Sequence, residues 1–173
     1  KMRWQPSLQI IPHYESEPLY IEALVNSLNK KVAEIKWKPD IILASYHGIP
    51  KKYFDKGDPY HCYCQKTSRL LSEKFKHFKI QTTFQSRFGP QAWLQPYTDK
   101  TLESLPKEGK KNILVICPGF SSDCVETLEE ISIQGRKSFL DNGGKNFDVV
   151  PCLNDGNDHI NLLNHLAKKY IVQ

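Results

Sequence analysis

The sequence predicts an α/β fold, a single domain over residues 1–173 with a mostly parallel sheet covered by helices on both faces. Three observations lead there. Short apolar runs of strand length alternate with longer segments whose apolar residues recur at helical spacing, the pattern of βαβ units. The run 112–117 (NILVIC) carries apolar residues without polar alternation, as a strand buried on both faces requires. The chain has 173 residues, 39% hydrophobic and 25% charged with mixed signs, enough to bury a core without metal or disulfide staples and too apolar for disorder.

In chain order, 8–14 (LQIIPHY) reads as a short strand. Ser16 is placed to cap a helix with Pro18 in its first turn and Ile21, Leu24, Val25, Leu28, Val32 and Ile35 at helical spacing. Residues 40–46 (DIILASY) read as a buried strand, and 60–78 as a helix turning Leu70, Leu71, Phe75 and Phe78 inward. A third strand is expected over 81–86 and a short helix over 98–105. After the strand at 112–117, a long helix runs from about 123 to 141, where Gly143 and Gly144 stop it. A last short strand covers 147–153. Ile160, Leu163, Leu166, Ala167, Tyr170 and Ile171 mark a terminal amphipathic helix.

Charge and composition narrow the function. Lysine plus arginine is 24 and aspartate plus glutamate 19, a net +5 without a basic stripe, so nucleic acid is not an expected partner. No stretch approaches the ~20 apolar residues of a membrane span. Five cysteines, an odd number, and no recognisable signal peptide suggest free thiols in a reducing cytoplasm. Lys1 precedes the only methionine, Met2, which suggests a piece of a longer protein.

In parallel sheets ligands bind outside the carboxyl ends of the strands, so the loops after strands are where chemistry is expected. In SYHGIP (45–50), His47 sits where a strand ends, as a candidate base, metal ligand or hydrogen-bonded turn residue. Gly48 there suggests unusual backbone angles and Pro50 a stiff exit. In PGFSSDCVETLEE (118–130), Asp123 can cap a helix and Glu126 fits its capping box. Glu126 and Glu130 also lie four apart on one helical face, where partly enclosed carboxylates can hold a cation. His47 and Glu126 leave the same sheet edge and can converge, a donor pair suited to ferrous iron or to paired proton acceptors. In FQSRFGPQAWLQP (84–96), aromatics interleave with polar groups, which suits a large flat ligand or an ordinary aromatic rim. His61-Cys62-Tyr63-Cys64 is a weak metal pattern, and 154–159 (NDGNDH) resembles a calcium loop that lacks its distal glutamate. Packing thiols and a turn with a helix cap are the simpler readings.

These motifs, with GDPY (57–60) and NGGKNFDVVPCLN (142–154), keep order and spacing, and through them the chain resembles the carboxyl-terminal half of ferrochelatase, in its bacterial form. The resemblance implies a Rossmann-like, chelatase-like domain, the second of two, with the amino-terminal domain as a missing partner. It implies insertion of ferrous iron into protoporphyrin IX to form protohaem, on a porphyrin bent toward the transition state, with peripheral membrane association as a possible trait. By resemblance His47 and Glu126 are catalytic, and His47, Glu126 and Glu130 handle metal. Gln85, Ser86, Phe88 and Trp93 line the porphyrin pocket, while Ser45 and Asp123 support the site. Arg87 can meet a propionate or serve as an ion-pair partner. Some relatives hold a [2Fe–2S] cluster, but Cys62, Cys64, Cys117 and Cys124 match no such set. Cys124 stands where many members carry histidine, and Gln134 where some extend the acidic track. Two alternatives accompany this reading: a non-catalytic domain binding metal or tetrapyrrole, and a chelatase acting on another tetrapyrrole.

Overall fold

The computed structural model describes residues 3–4 and 8–171. Four strands form one sheet in the order β2-β1-β3-β4: β1 (Ile41–His47), β2 (Ile80–Gln85), β3 (Asn112–Ile116) and β4 (Asn146–Val149). All three pairings are parallel. The central strands bury both faces, and the period of two sends their side chains to two separate cores. Ile42, Ala44, Tyr46, Leu114 and Ile116 enter one core with α1 (Pro18–Glu34), α3 (Tyr60–Lys74) and α6 (Asn157–Ile171). Ile41, Leu43, Ile113, Val115 and Cys117 enter the other. Against that face lie α4 (Thr98–Ser104), a π-helix (Glu126–Gly135) and its continuation α5 (Arg136–Asp141). The three-layer α/β expectation holds. Fully burying one such Leu or Ile stabilises by about 1.5–3 kcal/mol, so the two cores carry most of the stability.

The chain runs from β1 outward to β2 through α3, then back across β1 to β3 and onward to β4. The direction of winding therefore reverses between β1 and β3. Loops leaving their carboxyl ends part in opposite directions and open a crevice there, the usual ligand position in such sheets.

Several elements differ from expectation. Residues 8–14 form no strand. Pro12 lacks a ladder donor, the segment pairs with no strand among the described residues, and Leu8 and Ile10 are about four-fifths exposed (83% and 80%). Ser16 does not cap α1; Glu17 occupies the N-cap position without a side-chain bond, and Pro18 stands in the first turn. A short helix α2 (Lys51–Asp55) follows Pro50, and α3 stops at Lys74, with Phe75 leaving helical geometry to fill the core. The last strand ends at Val149, before Pro151. In α6 the inward stripe is His159, Leu162 and Leu166, while Ile160 and Leu163 face outward. His159 tolerates burial because its Nδ1 donates to the Asn154 carbonyl at 2.6 Å. The helix expected from residue 123 begins two residues later and runs first in π geometry.

Candidate active site at the sheet switch point

His47 is the last residue of β1, in register with Gln85 of β2, and half-buried. Its Nδ1 lies 2.6 Å from the Gly48 carbonyl. A carbonyl only accepts, so Nδ1 carries the proton, and Nε2 is left as an acceptor without a partner among the described residues. The His47 carbonyl accepts the Tyr60 hydroxyl at 2.9 Å, which ties the GDPY turn to the site. The Phe120 ring, from the loop after β3, lies 6.3 Å from the imidazole.

Gly48 has no unusual backbone angle; of the glycines, Gly57, Gly89, Gly109 and Gly143 adopt positive φ. It is glycine for room. Its N–H donates to the Gln85 carbonyl at 2.8 Å, and a Cβ there would stand 2.9 Å from that same oxygen and 3.3 Å from Trp93 Cε3.

Across the switch point, the loop after β3 delivers Glu126. The capping reading of Asp123 and Glu126 is corrected by the geometry. The Thr127 hydroxyl, not a carboxylate, accepts the Cys124 N–H at 3.0 Å. Asp123 caps no helix N–H; it ties the Thr127 side chain to the 152–154 segment. Its amide donates to Asn154 Oδ1 at 2.8 Å, and its Oδ2 accepts Asn154 Nδ2 at 2.8 Å. Its Oδ1 accepts the Thr127 hydroxyl at 3.0 Å and the Cys152 amide at 3.3 Å. Burial pushes the Asp123 carboxyl up, but the bonds from Asn154, Cys152 and Thr127 outweigh it and hold it below the usual value. Glu126 is left free of capping. A hydrogen bond with the Cys124 side chain and one with its own amide hold its carboxyl below the usual range, outweighing a smaller effect of burial, and the nearby His47 ring adds a lesser effect in the same downward direction. His47 and Glu126 thus leave the same carboxyl edge of the sheet, on either side of the switch point.

The remaining expected site residues take unequal places. Ser45 is fully buried. It donates to Gln85 Oε1 at 2.7 Å and lies 2.9 Å from Thr98 Oγ1, which joins the ends of β1 and β2 to the start of α4. Gln85 is not a wall residue. At 3% exposure it belongs to the interior, where its Nε2 donates to the Glu126 carbonyl at 2.8 Å. Ser86 and Glu130 bond to each other: the carboxylate accepts the Ser86 amide at 2.6 Å and its hydroxyl at 2.5 Å. Phe88 stands 81% exposed, 6.1 Å from the Trp93 ring. Trp93 is buried, and its indole N–H meets no acceptor among the described residues. Arg87 pairs with Asp99 and lies 4.0 Å over the Tyr97 ring, the ion-pair role of its two expected ones.

Among the described residues no group of three or more His, Cys, Asp or Glu is arranged to hold a metal ion, so His47, Glu126 and Glu130 do not form a closed set. Cys62 is exposed and Cys64 buried on the same helix, and none of the five cysteines is in a disulfide. Two cavities open beside the strand ends, neither lined by His47 or Glu126. One of about 410 Å³ is lined by Tyr14, Tyr46, Tyr60 and Gly119, and one of about 350 Å³ by Ser86, Arg87, Glu130 and Gln134. Among the described residues no helix is long and apolar enough to cross a membrane.

Two participants escaped the sequence reading. Tyr60 lies in a motif already singled out, and Phe120 in the loop after a central strand; both were open to the strand-end rule.

The family model described as ferrochelatase matches residues 1–171. A ferrochelatase of Rhizobium meliloti (strain 1021) is 57% identical over 171 residues, covering 98% of this chain and 50% of the relative. A ferrochelatase of Allorhizobium ampelinum is 53% identical, with the same two coverages of 98% and 50%. One of Brucella anthropi is 50% identical, covering 98% and 49%. The chain spans about half the length of the curated relatives it matches.

Proposed function

The chain belongs to the ferrochelatase family, and on that premise we propose that it supplies one wall of a site inserting ferrous iron into protoporphyrin IX to form protohaem. The observation that carries the proposal is the placement of His47 at the end of β1 and of Glu126 after β3, on either side of the switch point, with Nε2 of His47 unpartnered among the described residues.

Porphyrin must lose two pyrrole protons as iron enters. His47 Nε2, fixed by the Nδ1 bond, accepts one of them at the macrocycle, and the Glu126 carboxylate, which first offers an oxygen to the incoming cation, accepts the other. Imidazole nitrogen and carboxylate oxygen together suit a borderline divalent ion such as ferrous iron. The exposed Phe88 ring meets a face of the porphyrin, backed by Trp93, while Ser45, Gln85 and Asp123 hold the strand ends and the π-helix in place. The partner across the open edge is the other half of a ferrochelatase. A reducing cytoplasm suits five unpaired cysteines; the [2Fe–2S] cluster and membrane contact form no part of the proposal.

Both catalytic side chains stand on an open edge, outside the two cavities. That favours a second reading for the chain alone, binding of porphyrin or metal without turnover. The test is anaerobic ferrous insertion, followed by loss of protoporphyrin fluorescence. It is run with the chain alone and with the amino-terminal half of the Rhizobium meliloti relative supplied. The completed protein is expected to turn over, and His47→Ala to abolish turnover while the protein stays folded. Retained turnover in that variant sinks the role of His47. Binding without turnover in both forms establishes the second reading.

A further inference from the structure

Ser86 closes β2 with φ 61°, a left-handed backbone that costs free energy in a residue with a Cβ. What holds it there is Glu130. Oε1 of the carboxylate accepts the Ser86 N–H at 2.6 Å, and Oε2 accepts the Ser86 hydroxyl at 2.5 Å and Gln85 Nε2 at 3.3 Å. The same Gln85 amide donates to the Glu126 carbonyl at 2.8 Å. One side chain of the π-helix therefore grips the end of β2, and the preceding residue of β2 grips the π-helix where Glu126 leaves it. A carboxylate offers about four lone-pair sites, and protein donors occupy three of them. A cation at Glu130 would have to displace those bonds.

We infer that Glu130 is a positioning residue: its carboxylate latches Ser86 in the left-handed conformation and so sets the 86–93 segment against the helix that carries Glu126. The consequence for porphyrin rests on the proposed function; the latch itself does not. Glu130 then acts through Ser86, not by passing iron along the helix.

The two roles differ in what Ser86→Gly does. Glycine takes positive φ without steric cost, so the segment keeps its path with no latch. A metal-relaying Glu130 would be indifferent to that change. The test uses the full chain as wild type, Glu130→Ala, Ser86→Gly and the double variant. Site-resolved amide exchange reports the latch, fluorescence titration reports protoporphyrin IX affinity, and anaerobic titration reports ferrous affinity. Glu130→Ala is expected to speed exchange of the Ser86 amide by about tenfold or more, the mark of a lost protecting bond. It should also weaken porphyrin binding several-fold and leave ferrous affinity unchanged. The double variant should match Ser86→Gly in porphyrin affinity within about twofold, the additivity test for a shared contact. Unchanged exchange in Glu130→Ala overturns the proposal, as does a double variant as impaired as Glu130→Ala, or a loss confined to ferrous affinity. Should Glu130→Ala not fold, Glu130→Leu carries the exchange arm, because its side chain fills the space but accepts no hydrogen bond from the Ser86 amide. A wild type that binds no porphyrin sinks the functional reading, while exchange still decides the latch.

Discussion

Gly48→Ala tests whether the site is set by close approach of two strand ends. The new Cβ would lie 2.9 Å from the Gln85 carbonyl oxygen, 3.3 Å from Trp93 Cε3 and 3.9 Å from Phe84 Cβ. An ordinary carbon–oxygen contact needs about 3.3 Å or more, so something must give by a few tenths of an ångström. The obstructing atom is backbone, and it accepts the Gly48 N–H at 2.8 Å. Moving it stretches a hydrogen bond worth about 0.5–1.5 kcal/mol net. Leaving it in place overpacks the Trp93 contact, at about 1–3 kcal/mol. These describe one displacement, so the expected cost is about 1–3 kcal/mol in all. For a domain of this size that lowers Tm by roughly 2–12 °C. Thermal unfolding and a urea midpoint with unchanged slope measure it. His47 is expected to shift as well, because its Nδ1 bonds the Gly48 carbonyl. Gly89→Ala is the control: it has φ +77° and nothing within 4 Å of a new Cβ, so its cost is in the backbone alone and leaves His47 in place. A Gly48→Ala protein melting within about 1 °C of wild type would refute the close-approach argument.

Three further outcomes are expected. Asp123 is held below its ordinary value of 3.8, so its contribution to stability is complete above that value and is lost as pH falls through the lower folded value. Asp123→Asn should therefore be less stable than wild type at pH 7, with the two stabilities drawing together in acid; parallel acid titrations would contradict this. Cys64 is pushed up to about 12 and Cys117 well above the ordinary value, both by burial first. At pH 8 a thiol reagent should label exposed Cys62 in the native protein and reach Cys64 and Cys117 only on unfolding, as read by mass of the labelled peptides. Equal native rates at Cys62 and Cys117 would defeat this. A Cβ on Gly144 would fall 2.2–2.6 Å from ring atoms of the fully buried Phe139. Gly144→Ala should then lose at least the ~1–3 kcal/mol of core overpacking, and a melting point within about 1 °C of wild type would show that the ring can move.

The legible parts of the fold were those where one face or both faces of an element are buried. β3 was apparent because no polar residue interrupts Ile113 to Ile116, all of them at most 2% exposed. α1 was apparent because Ile21, Leu24 and Leu28 recur on one face. The same reasoning placed a strand at 8–14, where apolar residues are present but no strand lies beside them. Apolar content marks burial only when a partner exists to bury it against. In α6 two apolar stripes overlap, and the sequence reading took Ile160 and Leu163. A paired histidine settled the other register, because His159 satisfies its polar atom on the Asn154 carbonyl and can then pack beside Leu162. The π geometry carried no signal, since its i→i+5 backbone bonds, such as Arg136 N–H to the Ile131 carbonyl, are open to most side chains, and one of its carbonyls is taken from outside. Gln85 donates into the Glu126 carbonyl from another strand.

The same distinction divides the site. His47 and Glu126 were findable because strand order does not matter to the rule that finds them: any two loops leaving the carboxyl edge are candidates. What the rule leaves open is which side chains face the ligand and which hold the frame. That depends on strand order, which places β1 between β2 and β3 and turns Ser45, Gln85 and Cys117 toward one another at the carboxyl end of the second core. Along the β1–β3 ladder the residues facing that core change from Ile41, Leu43, Ile113 and Val115 to Ser45 and Cys117 just where the winding reverses. A hydroxyl, an amide and a thiol enclosed there must find partners inside the protein. The partners they find are strand ends and the π-helix, so the polar groups nearest the chemistry are consumed in holding it. In the proposed site the ligand is met by residues one step farther out, His47, Glu126 and Phe88.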